Sequence, residues 1–372
     1  MKALHELAAV LFLVFGITQA ALAETQVVFT VDVESQATPL LAQVDAVCED
    51  GSVCGLMEIA RMFAERGLAA TFFLNVFEYR TWGEAPMRDI VTRLQAAGQD
   101  VALHTHPQFA YDPLRNEMYQ YNLAEQTTII RDGVKLLQEW TGLPVVAHRA
   151  GDYSANEDTL EALRRNGVRV DSSYFLGHPR CRLDALGLPS NMPSFIDGLT
   201  EFPVTVYERA ERPEALEAIF PPVSSIRKID VNWMTGGDEV RSAIDAVIKA
   251  KIPYLVVFLH SFSLLTPGNG STPVADVRAR KNFQALLDHV SERGLQVVTM
   301  RDLADAAPRI ATAQAQDIVP RVSVGIGIHR YVWKQMRRQS AGHVLGVVLL
   351  VTVFVGGGTL LIVYRRIRAK GH

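Results

Sequence analysis

Apolar residues along this chain come in two rhythms. Short unbroken runs rich in Val, Ile and Phe fall at 26–33, 69–76, 100–104, 144–148, 168–172, 201–206, 254–260 and 296–299. Between them lie stretches where apolar residues recur every three or four positions, at 57–66, 87–97, 123–140, 156–166, 239–250 and 280–293. The first rhythm predicts strands and the second amphipathic helices. Their alternation predicts βαβ units and a parallel sheet, and unbroken apolar strands imply a sheet covered on both faces. The expected fold is therefore α/β, a distorted or incomplete (β/α) barrel, with a doubly wound open sheet as the alternative. The stretch 177–198, with Pro179, Pro189 and Pro193, shows little periodicity and reads as a long loop. Residues 311–330 read as a connector.

The two ends break this pattern. Residues 1–23 have Lys2, an apolar run from Leu7 to Ile17 and Ala21-Leu22-Ala23, the layout of a secretory signal peptide. Residues 344–363 are uncharged and mostly apolar, long enough as a helix for a hydrocarbon core of about 30 Å. Arg365, Arg366, Arg368 and Lys370 follow, as in a stop-transfer segment. The expected organisation is a signal peptide (1–23), a catalytic domain (24–308), a juxtamembrane linker (309–343), a transmembrane helix (344–363) and a basic cytoplasmic tail (364–372). The domain would then be exported, on the periplasmic side of a bacterial inner membrane, with a single-pass anchor. Gly356-Gly357-Gly358 works against a helix at that place.

Charge and cysteine usage agree with export. Of 37 basic and 40 acidic residues, eight basic ones fall in 330–372 and Lys2 and Glu6 in the leader. That leaves 28 and 39, a formal charge of −11 on the remainder. Such a surface repels nucleic acid and suits neutral or cationic glycans. Cys48 and Cys54 are close enough to close a small loop by a disulfide in an oxidising compartment, which leaves Cys181 as a free thiol.

Chemistry gathers where apolar runs end. One run leads into Asp32, a second into His104, a third into Arg149 and a fourth into His260. In barrels, catalytic side chains sit at the C-terminal ends of strands. Residues i and i+2 of an extended chain face the same way, which pairs Asp32 with Glu34 and His104 with His106. Two imidazoles and one or two carboxylates on one rim are the ingredients of a three-ligand catalytic metal site.

The motifs Thr30-Val31-Asp32-Val33-Glu34, Leu103-His104-Thr105-His106-Pro107, Arg149-Ala150-Gly151 and Leu259-His260 resemble, in order and spacing, those of the NodB-homology polysaccharide deacetylases. The resemblance spans roughly 26–300 and includes Ala70-Thr71-Phe72-Phe73. It implies a distorted barrel and hydrolytic removal of acetyl groups from a polysaccharide. It also implies a divalent metal, zinc by ligand type, that lowers the pKa of bound water and polarises the carbonyl. Carried over, it makes Asp32 the general base, Arg149 its restraint, His260 the general acid, and Glu34, His104 and His106 the metal ligands. Two departures stand out. Adjacent aspartates are usual in the first motif, and here Val33 separates the two acids. The second motif usually spaces its histidines four apart, but that place is Gln108, an alternative oxygen donor to His106. Gly151 stands where proline is usual.

Asp152, Tyr153, Trp233 and Phe262 are candidates for substrate contact. Two alternatives share the fold: a hydrolase of small cyclic amides or ureides, and a glycan-binding pseudoenzyme without metal.

Overall fold

The computed structural model describes residues 25–36, 38–47, 51–213, 222–231, 236–266, 273–306, 317–327 and 330, and the backbone of 352–355 and 358–361. The chain divides into two compact units, 1–210 with 224–324 and 211–223 with 325–372. The signal peptide, the basic tail, Cys48 and Trp233 lie outside the described residues.

The larger unit is built on strands β1 (Gln26–Val33), β2 (Thr71–Asn75), β3 (Asp100–Thr105), β4 (Ala147–Ala150), β5 (Val170–Asp171), β6 (Ser194–Ile196) and β7 (Leu199–Glu201). It continues with β8 (Val206–Pro213), β9 (Val223–Lys228), β10 (Tyr254–His260), β11 (Leu265–Thr266), β12 (Val274–Ala275) and β13 (Arg321–Ile326). Eight of these form one sheet in the order β10-β1-β2-β3-β4-β5-β7-β6, parallel except for the β6–β7 pair. The sheet curls. Just past β7, Val204 N donates to Tyr174 O and Thr205 N to Val256 O of β10, so backbone bonds link the two ends of the sheet. This is a curled half-barrel, consistent with the expected incomplete (β/α) barrel.

Two of the helices begin where the sequence offers partners for their orphan backbone groups. Asn122 and Asn156 cap Leu123–Thr141 and Glu157–Arg165, each in a reciprocal capping box with the residue three further on. The first of these helices stops at Gly142, whose φ of 70° suits a residue without a Cβ. The parallel strands are buried almost end to end; β1 has one partly exposed residue, Gln26. Phe63, from the helix Leu56–Ala64, anchors one flank of the core, with ring centroids 5.0 Å from Phe29, 6.5 Å from Phe72 and 5.3 Å from Phe283.

Three expectations change. The connector and linker region holds a strand, β13, in a three-stranded sheet ordered β13-β8-β9, and neither β8 nor β9 stands out in the sequence. Their residues alternate with charged ones, as in β9 with its partly exposed Ser225 to Lys228. The long loop 177–198 holds a 3-10 turn at Leu183–Leu186 and strand β6.

The third change concerns the expected transmembrane helix at 344–363. In the smaller unit, Thr352–Val355 (β14) pairs antiparallel with Gly358–Leu361 (β15) around Gly356-Gly357. Among the described residues no helix is long and apolar enough to cross a membrane. The correction has a local cause: three consecutive glycines disfavour a continuous helix, and the β-branched residues of Thr352–Val355 favour a strand.

Phe63→Ala is expected to destabilise the larger unit by about 3–5 kcal/mol, as for a large aromatic removed from a packed core. Denaturant unfolding followed by tryptophan fluorescence measures it. An effect below about 1 kcal/mol would mean that these rings do not form the packed contact described here.

Candidate active site

Register places the chemistry. Asp32 of β1 lies level with His260 of β10 and with Phe73 of β2. One row further on, His104 of β3 lies level with Asn75 and Arg149. Glu34, the residue after β1, extends this row. Side chains that are far apart in sequence thus meet at the C-terminal ends of parallel strands.

Arg149 is fully buried. Its Nη1 donates to Asp32 Oδ1 at 2.8 Å and to Thr30 Oγ1 at 3.0 Å, its Nε to Ser172 O at 2.8 Å, and its Nη2 to Ser172 Oγ at 2.9 Å. The guanidinium also lies 4.4 Å from the ring centroid of Phe73. These contacts hold Asp32 Oδ1 and leave Oδ2 turned toward His104 Nε2, 3.9 Å away.

The carbonyl of Arg149 does a second job. His104 Nδ1 lies 2.9 Å from it, so Nδ1–H donates and Nε2 keeps its lone pair, 3.2 Å from Glu34 Oε2. His106 Nε2 sits against the same Glu34 oxygen. The ligand atoms of Glu34, His104 and His106 all lie within 4.8 Å of one another, and the three residues are buried. Burial by itself would raise the Glu34 carboxyl, but His106 and His104 hold it well below the usual carboxylate range. Burial lowers His106, and Glu34 outweighs it and pushes the imidazole up to about 9.

This donor set fits a cation. His106 Nε2 is buried and has no hydrogen-bond partner, although it touches the carboxylate. Two imidazole nitrogens and one carboxylate oxygen are a common zinc set with room for a further ligand.

Gln108, weighed as an alternative ligand, lies behind His106, with its amide nitrogen 3.3 Å from Nδ1 and its Oε1 buried without a partner. Turned over, the amide accepts from Nδ1–H through Oε1, which frees Nε2 of its proton. The two-residue histidine spacing thus places His106 in the ligand group, and the position four after His104 supports it from behind.

His260 stands beside this group, with Nε2 3.5 Å from Glu34 Oε1. Its ring stacks on Phe262 at 4.4 Å and 17° and meets the edge of Phe258 at 4.7 Å. Burial lowers the imidazole to about 4, against the pull of Glu34, so in the site as it stands His260 is neutral at pH 7.

The turn after β4 brings Tyr153 to the site. Asp152 and Tyr153 both have left-handed backbone, with φ of 52° and 57°, a strained pair of the kind that functional sites hold. Tyr153 packs edge-on against Phe175 and His178, each 5.1 Å away, so the start of the long loop helps to wall the site. Asp152 pairs with Arg180, and its charge also acts on His106. Trp233 lies outside the described residues, as does Cys48, the expected partner of Cys54. Cys181 is free and buried.

Two features were missed in the sequence. Lys228, at the end of β9, donates to the Tyr153 hydroxyl at 3.0 Å. Its signal was its place two residues before Asp230, which puts both on one face of an extended chain. The other is the reason for Gly151. A Cβ there would lie 2.5 Å from the His106 ring, so the residue standing where proline is usual has to be glycine for His106 to occupy its place.

Gly151→Ala, whose Cβ would meet the His106 ring at its Nε2, is therefore expected to push His106 out of the ligand group and to weaken divalent-metal binding by about 10- to 100-fold, although residue 151 is not itself a ligand. Titration with Zn2+ against a competing chelator measures this. Unchanged affinity would show that the ring has room to move.

In sequence, no curated protein matches the chain. Residues 46–170 match the model of the polysaccharide deacetylase family. That stretch includes His104, His106, Arg149 and Gly151 but not Asp32, Glu34 or His260. Among solved structures, a Mycobacterium smegmatis protein assigned as a polysaccharide deacetylase superposes with a TM-score of 0.52 at 16% identity, covering 83% of this chain and 98% of its own. A family 4 carbohydrate esterase from Streptomyces lividans, in complex with acetate, gives 0.40 at 12% identity over 74% of this chain and 91% of its own. An allantoinase gives 0.49 at 13% over 79% and 94%. A sequence match across the middle of the chain and a shared fold across most of it together show the resemblance to the polysaccharide deacetylases.

Proposed function

We propose that this protein is a metal-dependent hydrolase that removes acetyl groups, chiefly from nitrogen, from a polysaccharide. The observation that supports this best is the convergence of a buried Glu34/His104/His106 ligand group with Asp32, held by Arg149, and with His260. A ligand group without a positioned base would suit metal binding alone. The acid, base and donor set together suit attack of water on a carbonyl.

Glu34, His104 and His106 would hold a divalent metal, which when bound supplies Lewis-acid polarisation and lowers the pKa of water. Zinc suits the two nitrogens and one oxygen. The remaining roles fall to the chain. Arg149 occupies Asp32 Oδ1, so Oδ2 is the oxygen that accepts the proton of the attacking water. The proton that Asp32 takes from water has to reach the departing nitrogen. His260, neutral at rest, would take it up as negative charge develops beside it and pass it on, returning to the neutral form. An amine leaves poorly without that proton, whereas a phenolate leaves well. Phe262 and Tyr153 offer aromatic faces against which a sugar ring can lie.

The leader at 1–23 and the acidic surface support action outside the cytoplasm on neutral or partly deacetylated polymer, with Cys48 and Cys54 paired there.

Three outcomes test this reading. The purified chain is expected to retain about one divalent metal through desalting and to release acetate from an acetylated glycan panel, with chelator treatment abolishing release. Asp32→Asn is expected to lower kcat about 10²- to 10⁴-fold. His260→Ala is expected to cost the same order on N-acetyl glycans and far less on 4-nitrophenyl acetate, whose leaving group needs no proton. A metal-free, inactive wild type would overturn the proposal in favour of a binding module. Release of product from a cyclic ureide but from no glycan would move the substrate to small amides.

A further inference from the structure

Lys228 stands in the wall of the site. Its Nζ lies 3.3 Å from the ring centroid of Phe258 and 5.3 Å from that of Tyr153, and it donates to the Tyr153 hydroxyl at 3.0 Å. Phe258 in turn touches the edge of His260. The charged and titratable groups facing Lys228 are Asp32 on β1 and Glu34 just after it, Arg149 on β4, Asp230 just past β9, and His178 and His260.

The carboxylates nearest the chemistry already have partners. Asp32 is bonded to Arg149, and Glu34 lies against His104 and His106. Lys228 is therefore not required as their counter-ion, and the strongest carboxylate pull on its charge is that of Asp230. Holding an ammonium over aromatic rings costs desolvation, and among the described residues one hydroxyl is its hydrogen-bond partner. Because that hydroxyl accepts from Nζ, its own proton points elsewhere. Burial, together with the carboxylates Asp32, Asp230 and Glu34, keeps the Tyr153 phenol protonated. The wall thus presents two donors and one positive charge at Phe258, which packs on His260, with Lys228 itself partly exposed.

We propose that Lys228 and the Tyr153 hydroxyl form an anion-receiving pair that binds the negative charge of the reaction, first on the carbonyl oxygen and then on the released carboxylate. This rests on the hydrolase reading for its place in a reaction, but the pair's affinity for a carboxylate can be measured without turnover. The pair acts by preorganised donors and a fixed charge held against aromatic rings. Burial lowers the Lys228 ammonium to about 8, against the pull of Asp230 and Asp32, so the charge is present at pH 7 and fades above that value.

The test is calorimetric titration of sodium acetate into the full chain loaded with Zn2+, for wild type, Lys228→Met, Lys228→Arg and Tyr153→Phe, at pH 7 and pH 9. Lys228→Met is expected to bind acetate about tenfold more weakly than wild type at pH 7. Lys228→Arg, whose guanidinium stays charged, is expected to keep that affinity and to lose less of it between pH 7 and pH 9 than wild type does. Tyr153→Phe, which keeps the ring and the packing, is expected to lose a smaller factor. Equal acetate affinity and equal pH dependence in wild type, Lys228→Met and Tyr153→Phe would overturn the proposal. If Lys228→Met fails to fold, Lys228→Arg and Tyr153→Phe still decide it. Acetate release from glycans judges the hydrolase reading separately: a wild type that binds acetate through Lys228 but releases none would overturn that reading and uphold this one.

Discussion

Everything in the larger unit that concerns chemistry leans on one buried guanidinium. Arg149 is the largest fully buried side chain, and its bonds reach Thr30 and Asp32 on β1 and Ser172 just past β5, while its face covers Phe73 on β2. A charge taken out of water on this scale is tolerable only when its donors are met and a counter-charge is close. The need to satisfy Arg149 therefore dictates where the strands lie relative to one another. Its backbone contributes as well, because the Arg149 carbonyl sets the tautomer of His104. One residue orients the candidate base through its side chain and a candidate ligand through its main chain. Loss of such a residue is expected to be felt in folding and chemistry together.

Around that centre, the departures from the usual deacetylase motifs explain one another. Placing the second histidine two residues after the first, not four, brings its ring against the turn that follows β4. A residue with a Cβ at 151 would collide with it, so glycine replaces proline. Gln108 then sits behind the ring, not beside the cation site. Glu34, displaced by one residue from the position of the usual second acid, reaches both imidazoles. These are compensating changes in one small volume. Each taken alone would look like the loss of a site.

Much of this was legible beforehand, for local reasons. The strand 26–33 and the strand 254–260 end where their apolar runs end, because continuous burial on two faces leaves no other reading. Apolar residues recurring every three or four positions over 123–140 and 156–166 marked the helices Leu123–Thr141 and Glu157–Arg165, a pattern that needs no tertiary context. The i and i+2 rule paired Asp32 with Glu34 and His104 with His106. By contrast, β8, β9 and β13 mix charged and apolar residues, as partly exposed strands do, and such a pattern does not separate from loop. The expected span at 344–363 rests on hydropathy, which counts apolar residues and gives too little weight to the triple glycine, a feature already legible in the sequence as working against a helix.

By itself, then, the sequence determined the element types, the strand ends at which polar side chains would gather, and the family pattern in the middle of the chain. All of these depend on periodicity and local bonding between residues near one another. Only the tertiary structure decided which of two candidates after His104 joins Glu34, why residue 151 is glycine, and that Lys228 faces Tyr153 across the site. Those outcomes depend on strand register and on distances between segments tens to hundreds of residues apart. A contact of 2.5 Å between a Cβ and a ring more than forty positions away leaves no periodic trace in the chain.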